Sequence, residues 1–169
     1  MDARLEVQHK IYLHPAELVV AAEPTEVATV LGSCISVIFF HPRRRYGAIC
    51  HAVLPTGHGE HSRFVDQSIH AMLAFFARHQ IKPRDLVTKV FGGADMFSQF
   101  ATRASARTVG AQNISMALDT LRDLGIYPSA LDIGGQQGRK LLFFSHTGEV
   151  YLKRVERDKL KIVCNYSAP

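Results

Sequence analysis

Four apolar runs crowd the first 55 residues: ELVVAA (17–22), EVATVLG (26–32), CISVIFFH (34–41) and YGAICHAVLP (46–55). Each is short and rich in Val, Ile and Phe, which predicts strands rather than helices. Between the last two, His41-Pro42-Arg43-Arg44-Arg45-Tyr46-Gly47 reads as a hairpin turn, because Pro ends a ladder and Gly47 tolerates tight backbone. The strand of Cys34 and the strand of His51 are therefore expected to be antiparallel neighbours. A polar loop, Thr56 to Arg63, comes next. Val65, Ile69, Met72, Leu73 and Phe76 then recur at helical spacing and predict a helix over about 64–79. LVTKVFGG (86–93) returns to a strand pattern. Ile114, Ala117, Leu118, Leu121 and Leu124 mark one face of a second helix, with Gly125 as its stop. Further strands are predicted near 128–133, 140–146 and 149–155, with His146-Thr147-Gly148-Glu149 turning the last hairpin. Strands first, then helices interspersed with strands, argue for an α+β layered fold with a mixed sheet.

Composition narrows this only modestly. With 169 residues, the chain suits one domain spanning 1–169, its core at about 17–155. Hydrophobic residues make up 47% and charged residues 21%, which excludes a disordered or fibrous chain. No apolar stretch approaches the ~18 to 20 residues needed to cross a bilayer, so no membrane insertion is expected. Three cysteines, Cys34, Cys50 and Cys164, are odd in number and widely spaced, a poor disulfide framework that points to the cytoplasm. The net charge is +5, and its densest basic run is Arg43-Arg44-Arg45. Such a run reads as a solvated turn. Nucleic-acid binding would need a broader patch with stacking aromatics, whereas an acidic protein partner suits the charge.

The chemistry concentrates on two residues. Free cysteine is among the most buried residue types, so Cys34 in an apolar run is first a packing residue. Gly32-Ser33 just before it permit a tight bend, and such a bend can aim consecutive N–H groups at one point beside the thiol, an oxyanion hole. His51 sits in an otherwise apolar run, where it must find a hydrogen-bond partner or carry a desolvation cost. On the paired strand it becomes a candidate neighbour of Cys34, and an adjacent imidazolium lowers a thiol's pKa from ~8.5 and favours the nucleophilic thiolate. Cys50, next to His51, should face the opposite side and serve as core. Cys34, Cys50, His51, His58 and His61 lie close in sequence but lack the paired spacing of structural zinc, so no metal is expected. FGGADMF (91–97) and GGQQGR (134–139) match neither phosphate-cradle pattern and read as tight turns around the site.

Several of these pieces together resemble the CheD-type chemoreceptor glutamine deamidases: LGSCISV (31–37), GAICHAVLP (47–55), FGGADMF, VGAQN (109–113), GGQQGR and TGEV (147–150). They occur in the family's order across roughly 17–155. The resemblance implies a layered α/β sandwich with a mixed, largely antiparallel sheet, similar to bacterial toxin deamidases. It also implies a cysteine hydrolase that converts selected glutamines of methyl-accepting chemotaxis receptors to glutamate without a cofactor. On that pattern Cys34 is the nucleophile and His51 the general base, while the bend read above adds the backbone of Ser33 and Gly32 to the oxyanion hole. The family's third member is a threonine upstream of the cysteine that orients the histidine. Six positions before Cys34 stands Ala28, and Thr29 lies five before, so Thr29 is the candidate. The expected partners are the receptors' cytoplasmic helical bundle and, in some members, a CheC-type phosphatase; the chain itself is expected to be a monomer. Two alternatives stay open: a non-catalytic adaptor docking on receptor or phosphatase, and a receptor methylesterase using the same pair.

Overall fold

The computed structural model describes residues 6–95 and 107–155. Cys164, together with Met96 and Phe97 of FGGADMF, lies outside the described residues. The elements run β1 (His9–Tyr12), β2 (Glu17–Ala21), β3 (Thr25–Leu31), β4 (Ile35–His41), β5 (Tyr46–His51), α1 (Val65–Arg78), β6 (Val87–Gly92), α2 (Val109–Asp123), β7 (Ala130–Ile133), β8 (Gly138–Phe144) and β9 (Val150–Val155).

These strands form two mixed sheets. One has the order β1-β3-β8-β9, the other β2-β5-β4-β6-β7. Only β1 with β3 and β6 with β7 pair in parallel; the other pairings are antiparallel. Two buried clusters define the layering. Val27, Leu31, Ile38, Ile49, Phe91, Leu141 and Phe143 pack between the sheets. On the far face of the second sheet, Val37, Phe39, Ala48, Cys50 and Val90 meet Ile69, Met72 and Phe76 of α1 and Ala117 and Leu121 of α2. The second sheet is thus covered on both sides, which is why ISVIFFH in β4 is a continuous apolar run rather than an alternating one. In β3 the outer face is only half-buried, and TEVATVL alternates.

The predicted hairpin stands: β4 pairs with β5 antiparallel, His41 opposite Tyr46. Two expectations need correction, and one strand has no counterpart in the sequence pattern. Strand β1 carries no apolar pattern because it is a short, exposed edge, and its pairing with β3 comes from outside its own sequence. Strand β4 begins at Ile35, so Cys34 lies just before it rather than on it. The buried face of α2 is Gly110, Asn113, Ala117 and Leu121, while Leu124 is exposed. That rotation follows from close packing: a Cβ added at Gly110 would sit 2.7 Å from the Gly93 carbonyl oxygen and 2.8 Å from that of Ala94. Among the described residues no helix is long and apolar enough to cross a membrane.

Candidate active site

The register of β4 and β5 places Cys34 and His51 on one face. Past the end of the hairpin ladder, Ile35 bridges Ala52, with each N–H donating to the other's carbonyl at 2.9 Å. Cys34 and His51 flank that bridge diagonally. Their common face is the one between the sheets, where Cys34 packs against the buried cluster that includes Ile49, the residue two before His51. Diagonal neighbours on an antiparallel pair stay within reach of long side chains. Cys50 points to the other face, buried under the helices, and its Sγ accepts from the Val37 N–H at 3.4 Å.

His51 is nearly sealed from solvent at 3% exposure, and its Nδ1 lies 2.8 Å from Thr29 Oγ1. The Thr29 hydroxyl donates its own proton to the Leu13 carbonyl at 2.8 Å. Having one proton and spending it there, the hydroxyl can only accept from His51, so Nδ1 carries the ring hydrogen and Nε2 keeps its lone pair. Strand alternation separates the two positions: Thr29 is on the buried face of β3, and Ala28 on the other. Leu13 is held by its own N–H donating to the Ala28 carbonyl at 2.8 Å, and the chain returns when the Ala16 N–H donates to the His51 carbonyl at 2.9 Å.

Gly32, Ser33 and Cys34 form a bend whose carbonyls are all tied back. Ala94 N–H donates to Gly32 at 2.9 Å, Gly93 N–H to Cys34 at 2.7 Å, and Asn113 Nδ2 to Ser33 at 3.0 Å. Gly92 permits this, since an added Cβ would overlap the Cys34 carbonyl oxygen. Among the described residues, no other residue accepts from the Ser33 or Cys34 N–H, and the Cys34 N–H lies near its own Sγ. GGQQGR is tied down by Arg139, which is buried, pairs with Asp132 at 2.7 Å and donates to the Gly134 carbonyl at 2.7 Å. His58 and His61 stay in the exposed loop. Among the described residues, no group of His, Cys, Asp or Glu gathers as a metal site.

Residues 54–154 match the family model described as CheD chemotactic sensory transduction. A relative from Geobacter sulfurreducens, "Probable chemoreceptor glutamine deamidase CheD 2", is 46% identical over 158 residues, covering 93% of this chain and 97% of its own. The chain belongs to the CheD family. Two other CheD relatives carry the name "Probable chemoreceptor glutamine deamidase CheD". The one from Maridesulfovibrio salexigens is 38% identical over 88% of this chain and 93% of its own, and that from Nitratidesulfovibrio vulgaris is 42% identical over 90% and 80%. The solved structure of YfiH from Bacillus licheniformis aligns with a TM-score of 0.47 at 12% identity, over 70% of this chain and 49% of that one, too loose a likeness to bear on function.

Electrostatics in this CheD chain differ from the expected thiolate–imidazolium pair. Burial pushes the Cys34 thiol up to about 11, opposed in part by its own N–H, which favours the anion. Burial likewise lowers His51 to about 4, opposed by the Leu13 carbonyl. At neutral pH both groups are therefore uncharged at rest. Two contributors escaped the sequence reading. The Leu13 carbonyl is invisible because a backbone oxygen carries no residue signature. Asn113 falls within VGAQN, and its signal in the sequence is a polar residue at helical spacing from the inward Ala117 and Leu121 of α2.

Proposed function

We propose that this chain hydrolyses selected glutamine side chains of chemotaxis receptors to glutamate, with Cys34 as nucleophile and His51 as general base. The observation that carries this reading is the Thr29 hydroxyl held between the Leu13 carbonyl and His51 Nδ1, which leaves Nε2 as a base on the face Cys34 shares. The relatives' names supply the substrate class.

Because the resting pair is neutral, proton transfer accompanies attack. Cys34 Sγ bonds to the glutamine carboxamide carbon as its proton passes to His51 Nε2. The Ser33 and Cys34 N–H groups, which no other residue occupies, receive the oxyanion. Collapse breaks the C–N bond, and the proton on His51 leaves with the nitrogen as ammonia. Water, deprotonated by His51, then attacks the thioester, releasing glutamate and returning the proton to the thiol. Thr29 acts through His51 as a positioning residue.

Purified receptor incubated with the chain should gain the mass of amide-to-acid conversion at discrete glutamines. Cys34→Ala and His51→Ala should abolish that gain while still binding receptor. Conversion that survives in Cys34→Ala would sink the mechanism. Binding without conversion by the unmodified chain would favour the adaptor reading.

A further inference from the structure

Asn113 is fully buried on the inward face of α2, brought close by the glycine contact of Gly110 with Gly93. Its Nδ2 lies 3.0 Å from the Ser33 carbonyl and 3.0 Å from the Val53 carbonyl. Two acceptors on one atom fix the orientation of the amide, because only its NH2 end carries two donors. Oδ1, by contrast, has no hydrogen-bond partner among the described residues. A half-satisfied buried amide destabilises a core that an apolar side chain would fill without that cost, so packing does not account for Asn113.

What Nδ2 holds does account for it. Across a trans peptide, the carbonyl of one residue and the N–H of the next point in opposite directions. Holding the Ser33 carbonyl therefore aims the Cys34 N–H away from α2. The second hydrogen reaches Val53, two residues past His51, so one side chain couples the bend of Cys34 to the strand of the base. We infer that Asn113 is a positioning residue that sets the Cys34 N–H as an oxyanion donor and fixes it relative to His51. This rests on the hydrolase reading above.

The test compares two reactions of Cys34 in the full chain and in Asn113→Leu and Asn113→Ala. Acylation by p-nitrophenyl acetate forms an S–C bond through an oxyanion and expels p-nitrophenolate. Alkylation by iodoacetamide displaces iodide and forms no oxyanion. In both variants acylation should fall about 100-fold, the scale of losing an oxyanion donor, while alkylation stays within about two-fold. On receptor, kcat should fall in parallel with KM unchanged. Unchanged acylation overturns the inference, as does alkylation falling by the same factor or loss of the thermal unfolding transition in both variants. If the unmodified chain leaves receptor glutamines intact, the substrate reading fails, yet the ratio of acylation to alkylation still judges Asn113.

Discussion

His51 owes its ring tautomer to one hydroxyl, because Thr29 can give its single proton only once and gives it to Leu13. Thr29→Val keeps the shape and removes the acceptor, so kcat on receptor should drop about 10- to 100-fold, whereas Thr29→Ser should retain most of it. Steady-state rates of the two variants, compared at equal thermal stability, check this. The same burial that holds the ring neutral makes folding pH-dependent. Unfolded, the imidazole titrates near 6.5; folded, it does so near 4. Between these values the unfolded chain binds the extra proton, so stability is whole above 6.5 and is lost as pH falls toward 4. The loss should reach roughly 3 kcal/mol, read from urea unfolding at stepped pH, and His51→Gln should flatten the slope over that window.

At the scale of elements, the end of β6 and the start of α2 build the bend before β4. Gly92 has φ +115, a conformation side chains resist, and stands against the Cys34 carbonyl. Gly92→Ala should therefore cost about 1 to 3 kcal/mol from backbone strain, with further loss from the clash. A lowered thermal midpoint together with slower Cys34 acylation is the expected result. The hairpin was legible because Pro42 and the three arginines interrupt two apolar runs, although the residue that takes the turn's positive φ is Arg45 and Gly47 lies within β5. Strand β1 was not, because an exposed edge has no alternation to read, and its hydrogen bonds belong to a partner 16 residues away.

The whole molecule rests on two faces of the second sheet being covered at once. Phe143 of β8 fills the space between the sheets and is almost wholly buried. Phe143→Ala should cost about 3 to 5 kcal/mol by leaving a cavity there, measurable by chemical denaturation. The basic turn belongs to this scale too, as a candidate steering surface. Arg45 is engaged, donating to the His146 carbonyl at 3.0 Å and pairing with Glu6, whereas Arg43 and Arg44 are exposed. Replacing both with Ser should raise KM for receptor several-fold at low salt, and the difference should vanish as salt screens it. Equal salt dependence in the two proteins would discard the turn as a steering surface.

By itself the sequence determined where most of the strands and both helices lie, that β4 and β5 form a hairpin, and that a thiol and an imidazole stand near its open end. Those follow from periodicity and turn chemistry, which are local. Only the tertiary structure decided that Thr29 rather than Ala28 reaches His51, since that requires β3 and β5 to face each other across two stacked sheets. The same holds for the neutral resting state of Cys34 and His51, because desolvation depends on what covers a group and not on its neighbours in the chain. Asn113 completes the case: its amide reaches two carbonyls 80 and 60 residues away, a contact fixed by helix packing.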